Sequence, residues 1–220
     1  MKKILLLVAV ATLATGAFAQ GKGIEWGVKA GLNLSSLSNS DLSGSIPIED
    51  VGNITVDASS KMKPSFYVGF FVDFPISDFF SIQPELLYSR QGSFYKTNVS
   101  VGGMSGDMKL WMRYDYLNIP ILAKLYVAEK LSIDVGPQFG IMVYHGVKAK
   151  IEDSSSTKKG DTGDYNTFDV SAALGLTYKV CRNIDISARY TLGFTDIFKD
   201  NSGGDKVKNG VIQIGAGYCF

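Results

Sequence analysis

The sequence predicts an all-β fold, an eight-stranded antiparallel up-and-down transmembrane β-barrel after a cleaved signal peptide. Three observations predict it. Apolar residues alternate with polar or small ones in eight separate segments, each about ten residues long, the length a tilted strand needs to cross hydrocarbon. The connections between the segments are alternately short and long. A secretory leader precedes them all.

Residues 1–19 are that leader. Lys2 and Lys3 form its charged region, Ile4 to Leu13 its apolar region, and Ala17-Phe18-Ala19 its cleavage site. The apolar run is shorter than the roughly 20 residues of a spanning helix, and no cysteine stands at the cleavage point to accept a lipid. Residues 20–220 are then one outer membrane β-barrel domain. Without Lys2 and Lys3 the chain has 20 basic and 21 acidic side chains. That balance argues against nucleic acid as a partner.

The elements follow in order. The first strand runs from Ile24 to Leu34, with Ile24, Trp26, Val28, Ala30, Leu32 and Leu34 on one side. The second shows Phe66, Val68, Phe70, Val72 and Phe74, and the third Phe80, Ile82, Pro84, Leu86 and Tyr88. In the fourth, Leu117, Ile119, Ile121, Ala123 and Leu125 oppose Asn118 and Lys124; Pro120 lacks a ladder donor and predicts a bulge or local irregularity. The fifth, from Leu131 to Val143, sets Leu131, Ile133, Val135, Pro137, Phe139, Ile141 and Val143 against Ser132, Asp134, Gly136, Gln138 and Gly140. The sixth carries Phe168 to Tyr178, the seventh Ile184 to Phe194 and the eighth Ile212 to Phe220, with the same alternation.

Residues 75–78, 126–130 and 180–183 are short connections; 35–63, 91–110, 145–166 and 196–209 are long and polar. Short periplasmic turns and long outer loops are the outer-membrane pattern, and eight strands then put both termini in the periplasm. Ser93 to Val101 and Asp107 to Arg113, flanking Gly102-Gly103, predict a hairpin standing above the membrane.

Alternation alone does not say which face is inside. The polar face is rich in glycine, including Gly27, Gly31, Gly69, Gly136, Gly140, Gly175, Gly193, Gly215 and Gly217. Glycine weakens a solvated strand, but a narrow eight-stranded interior has little room. The apolar stripes therefore face lipid. Glu25, Lys29, Asp73, Glu85, Lys124, Asp134, Asp169, Lys179, Asp185 and Arg189 then point into the lumen, where mixed signs allow a paired charge network. Aromatic girdles are expected from Trp26, Phe74, Phe80, Tyr126, Tyr178, Tyr218 and Phe220 at one rim, and from Phe66, Tyr88, Trp111, Tyr114, Phe168 and Phe194 at the other.

The segments Gly27–Ser35, Tyr116–Lys124 and Arg189–Ile197, with Gly136–Phe139 and the closing Tyr218-Cys219-Phe220, resemble the PorT-like outer-membrane β-barrel family of Bacteroidota. The resemblance implies the fold and a Gram-negative cell envelope. The named member of that family is associated with type IX secretion, but no residue here carries that role. In such barrels the last strand looks like the recognition signal for the insertion machinery; Ile214, Tyr218 and Phe220 match it.

Chemistry is sparsely marked. The one histidine, His145, lies beyond strand five; Ser35, Ser36, Ser93 and Ser154 to Ser156 are its candidate nucleophiles, and Asp41, Glu152 and Asp153 its candidate acids. None has the spacing of a hydrolase motif. No metal-ligand cluster is present, so neither metal nor cofactor is expected. Asp41, Glu49, Asp50 and Asp57 are candidates for a divalent cation bridging lipopolysaccharide. Cys181 and Cys219 fall at one rim in an oxidising compartment and are the candidate disulfide.

The expected function is that of a non-enzymatic integral protein of the cell outer membrane, with a structural, surface-binding or envelope or secretion-accessory role. Its expected partners are outer-membrane lipid and lipopolysaccharide, the barrel-insertion machinery and an envelope or secretion-complex protein. A narrow channel and a lipid-modifying enzyme with a loop-sited active site are the alternatives.

Overall fold

The computed structural model describes residues 23–38, 42–48, 52–101, 104–151, 154–159, 166–196 and 208–220. The expected leader, residues 1–19, lies outside the described residues. The strands are β1 (Glu25–Ser38), β2 (Leu42–Ile48), β3 (Gly52–Ser77), β4 (Phe80–Gln91), β5 (Ser93–Val101), β6 (Met104–Ala128), β7 (Leu131–Ile151), β8 (Ser154–Lys159), β9 (Phe168–Lys179), β10 (Ile184–Gly193) and β11 (Lys208–Cys219).

Eight of them close a barrel by antiparallel pairing in the order β1, β3, β4, β6, β7, β9, β10, β11 and back to β1. The closing seam pairs Ala30 with Ala216, and on the other side of β1 the same Ala30 meets Val68. Closure leaves no free strand edge in the barrel wall, which is what a hydrocarbon environment demands of a sheet. The apolar stripes face outward: Trp26, Leu32, Phe70, Leu174 and Ile214 are all more than half exposed, whereas Asn33, Glu85 and Asp134 are buried inside.

Where they are described, the long connections 35–63, 91–110 and 145–166 are not the loops the sequence predicts, and residues 197–207 of the fourth lie outside the described residues. Beyond the barrel rim, β2 pairs with β3, β5 with both β3 and β6, and β8 with β7, while β6 and β7 stay paired out to Met108 and Ile151. The result is a continuous six-stranded extension in the order β2, β3, β5, β6, β7, β8. Only the hairpin of β5 and β6 was expected. The others escape a search for oily stripes because strands outside a bilayer do not need one: β8 reads Ser-Ser-Ser-Thr-Lys-Lys.

β5 continues β4 across Gly92. Register explains the break. Between the pairs Tyr67–Ser89 and Met62–Ser93, β3 advances five residues and the other strand four, so β3 is bulged there. The irregularity frees backbone groups, and nearby side chains take them up. Asn33 Nδ2 donates to the carbonyls of Phe66 and Arg90, Ser65 Oγ to Arg90, and Lys63 Nζ to the Met112 carbonyl. Ser35 Oγ accepts the Gly92 N–H at 2.9 Å and donates to its carbonyl at 2.8 Å. Gly92 has φ +141°, and an added Cβ would stand 2.1 Å from the Met112 carbonyl oxygen. Gly92→Ala is therefore expected to cost about 2 kcal/mol, measured by urea unfolding; an unchanged midpoint would disprove the strain.

Pro120 does not shift the register. The pairs Ile119–Phe139 and Ala123–Val135 on either side keep the same offset, and the shifts fall at Asp115/Tyr116 and Tyr126/Ala128 instead. Pro120 is accommodated by missing rungs, not by an extra residue.

Candidate functional site

The lumen is the most elaborate polar structure among the described residues. It is organised around Glu85 on β4, a strand whose odd-numbered residues point inward. The Glu85 carboxylate receives Lys29 Nζ from β1 at 2.7 Å and both terminal nitrogens of Arg189 from β10 at 2.8 and 2.9 Å. Gln83 Nε2 also donates to it at 2.6 Å, and Gln83 Oε1 accepts from Lys124 Nζ at 2.9 Å. Lys124 lies 3.5 Å from Asp73, whose carboxylate also accepts the Tyr126 hydroxyl at 3.1 Å. One connected network thus joins β1, β3, β4, β6 and β10 across the interior.

The other sequence-selected charges sit around it. Glu25 and Lys179 pair at 2.8 Å at the short-turn rim. Asp134 accepts from Ser132 Oγ at 2.7 Å and from Thr177. Asp169 accepts from Thr195 nearer the opposite rim. Asp185 is buried with its Oδ1 unpaired to protein, as are Asn118 Nδ2 and Gln138 Oε1. A cavity of about 660 Å³ opens at the short-turn rim, lined by Glu25, Asp73, Asp78, Tyr126, Glu129 and Lys179.

A second polar layer was missed by charge-based reading because it is neutral. Gln213 Nε2 donates to Asn33 Oδ1 at 3.0 Å, Asn33 to Ser89 Oγ at 2.9 Å, and Gln91 to Ser89 at 2.9 Å; Asn209 donates to Gln91. Its signal was available in the inward parity of those positions.

Aromatic placement differs from expectation at two girdle positions. Tyr126 and Tyr114 share inward parity with Lys124 and Asn118; Tyr126 reaches Asp73, and Tyr114 is buried with Tyr116 and Met142. Tyr67 and Phe71 also point inward, against the glycine-lined seam. At the chain end the expected aromatics are outward. Phe220 packs on Trp26 at 4.4 Å and edge-on to Tyr218 at 5.5 Å, and Ile214 and Tyr218 are exposed.

Cys181 and Cys219 are both free. Cys181 is exposed in the turn, whereas Cys219 is buried and points inward, with Sγ 3.8 Å from Glu25 Oε2. His145 stacks on Tyr114 at 5.2 Å, and burial lowers its pKa from the ordinary value. Ser35 spends its hydroxyl on Gly92. Asp41, Glu49, Asp50, Glu152 and Asp153 lie outside the described residues, as do the side chains of Asp57 and Ser154 to Ser156. Among the described residues no group of three or more His, Cys, Asp or Glu is placed to hold a metal ion.

Beyond the apolar stripes, on the outer surface, Arg113, Asp115, Arg90 and Tyr88 form a further cluster. Asp115 accepts Arg113 Nε at 2.9 Å and the Tyr88 hydroxyl at 2.7 Å, with Arg90 Nε at 3.4 Å. Burial opposes ionisation of Asp115, but these hydrogen bonds and the two guanidinium charges outweigh it and hold its pKa below the usual carboxylate value. Asp115 therefore stabilises the fold above the ordinary aspartate pKa of about 4, and the contribution is lost as pH falls through the depressed value. Asp115→Asn is expected to cost about 1–3 kcal/mol at neutral pH and to flatten the acid limb of the urea midpoint against pH. An acid limb identical to that of the parent protein would refute the assignment.

Among solved structures the chain is similar to Ail, the attachment invasion locus protein of Yersinia pestis (14% identity, TM-score 0.44, 90% of this chain and 100% of that one). It is likewise similar to Neisserial surface protein A (15%, TM-score 0.46, 90% and 100%) and to OprG of Pseudomonas aeruginosa (13%, TM-score 0.41, 90% and 97%). No curated protein matches it. The model of the outer membrane protein beta-barrel domain matches residues 18–199, which is most of the chain. With a closed eight-stranded barrel, outward apolar stripes and a charged interior, this chain belongs to the outer membrane protein β-barrel domain family.

Proposed function

We propose that this outer-membrane barrel is plugged, and acts without catalysis as a surface-binding or envelope-accessory protein through its six-stranded extension. The observation that carries this reading is the Glu85 carboxylate, bonded at once to Lys29, Arg189 and Gln83 across the lumen. A narrow interior crossed by paired side chains offers ions no continuous wet path. The short turns and both chain ends face the periplasm, the extension faces outward, and residues 1–19 are removed on export. Outer-membrane lipid, lipopolysaccharide and the insertion machinery are its general partners, with an envelope or secretion-complex protein at the extension. The finer kinship is with PorT-like barrels, carried by the segments Gly27–Ser35, Tyr116–Lys124 and Arg189–Ile197.

The test is planar-bilayer recording of the refolded full chain, with folding checked by faster gel migration before boiling. A folded barrel that gives no single-channel steps is the expected result. The second reading, a narrow channel, is favoured by Asp185, Asn118 and Gln138, whose buried polar atoms without protein partners are natural water sites. It predicts discrete steps that change size in Glu85→Gln, and such steps would overturn the plugged barrel.

A further inference from the structure

The outward surface just past the apolar stripes carries a row of stacked cations over one sector, where β3, β4, β6 and β7 leave the barrel. Register sets Arg90 opposite Asp115, Asp115 opposite Tyr144 and Arg113 opposite Gly146. Alternation along β4 from exposed Leu86 through Tyr88 turns Arg90 outward, and along β6 from exposed Ile121 it turns Asp115 and Arg113 outward. The Arg90 guanidinium lies over the Phe66 ring at 4.9 Å, and that of Arg113 over the Tyr144 ring at 4.5 Å. Asp115 stands between them and holds Arg113 by Nε and Nη2. About a third of each arginine side chain is still exposed (32% and 35%). Lys109 and Lys148 are exposed on the same face further out. Asp115 is thus held between two arginines, with two lysines further out on the same face.

Depth and chemistry together indicate the ligand. Val68, Phe70, Leu86, Ile141 and Val143 are exposed directly below the row on the same sector. A polar band that follows hydrocarbon-facing residues lies at headgroup level. Each guanidinium has five donors in a planar fork, and Asp115 occupies one edge of Arg113 only. Stacking on an aromatic ring holds the fork in place, so less rotamer freedom is lost on binding an oxyanion. The site suits a molecule with phosphate groups above and acyl chains alongside.

We propose that Arg90 and Arg113 bind the phosphates of a phosphorylated glycolipid of the outer leaflet, whose acyl chains lie on the stripe beneath. This rests on the orientation given under Proposed function. The test is native mass spectrometry of the refolded full chain in detergent with bis-phosphorylated lipid A or dephosphorylated lipid A. R90Q/R113Q is expected to weaken binding of the phosphorylated lipid about tenfold, and R182Q, at the opposite rim, to leave it unchanged. Dephosphorylated lipid is expected to bind parent and variant alike. R90K/R113K, which keeps charge but not the fork, should fall between; all variants are first shown to be folded by gel migration before boiling. Unchanged affinity in folded R90Q/R113Q, or equal losses for both lipids, overturns the site. Displacement of the lipid by millimolar inorganic phosphate alone would mean free phosphate is the ligand, and also overturns it. Whole-cell biotinylation of Lys109 and Lys148 tests the orientation separately: unlabelled lysines refute the topology, and labelled lysines with unchanged lipid binding refute the site.

Discussion

Glu85→Ala is expected to destabilise the barrel by about 3–5 kcal/mol, the cost of leaving buried charge without its partner. The Lys29 and Arg189 side chains are 4% and 6% exposed, and both direct their donors at this carboxylate. Removing it strands two cations in a confined lumen and also frees Gln83 Nε2, which Glu85 accepts at 2.6 Å. The measurement is the urea midpoint of the folded fraction, read as the fast-migrating band of unboiled samples. A loss below about 1 kcal/mol, the scale of a single neutral hydrogen bond, would show that the three charges do not depend on one another. A companion variant separates charge from packing. Lys29→Met, Glu85→Leu and Arg189→Met together remove all three charges at similar volume and are expected to recover most of the loss, because apolar replacement of a whole buried ion cluster is often neutral. If the triple variant is as unstable as Glu85→Ala, shape and not unpaired charge is the cause.

The second large effect is expected at the seam where β1 meets β11. Gly31 and Gly215 are directly paired there, and the Tyr67 ring from β3 lies over both. A Cβ at Gly215 would stand 2.3 Å from the Tyr67 hydroxyl and 2.4 Å from the Ala30 carbonyl oxygen; one at Gly31 would stand 2.3 Å from the Ile214 carbonyl oxygen. The tyrosine tip can swing away but the backbone cannot, so the strands must separate. Gly215→Leu is expected to cost about 3 kcal/mol through overpacking and to slow closure of the barrel. Refolding yield into detergent and the same urea midpoint report it. Parent-like values in both would mean that the seam has slack the packing does not reveal. Closure joins residues 170 to 192 positions apart, Asn33 meeting Gln213 across the same seam, so this contact is among the last a folding chain can make.

The sequence was most legible where hydrocarbon imposes a strict requirement. A membrane-crossing strand must keep one face apolar for its whole length, and that made Trp26 to Leu34, Phe66 to Phe74 and Ile212 to Phe220 visible as strands. It also made the inward set readable by parity: Lys29, Glu85, Lys124 and Arg189 are buried, as their alternation with exposed apolar neighbours requires. Tyr114 and Tyr126 were assigned to girdles because they fall near strand ends. The parity of Asn118 and Lys124 already pointed both inward. Legibility fell beyond the rim. There β2, the outer half of β3 and β8 have no bilayer to match and no oily stripe to mark them, yet they pair as strands.

What the sequence alone determined is the wall: strand number, the outward oily face and the polar small-residue interior, because each follows from local period-two chemistry. What only the tertiary structure decided is which inward groups meet. Lys29 and Arg189 lie 56 and 104 residues from Glu85, and it is the angular position of each strand around the closed barrel, with its vertical register, that brings their ends within 3 Å. The row of Arg90, Asp115 and Arg113 arises the same way, from pairing of β4 with β6 and of β6 with β7. Alternation fixes the side from which a residue projects, but height and neighbour are properties of the closed sheet.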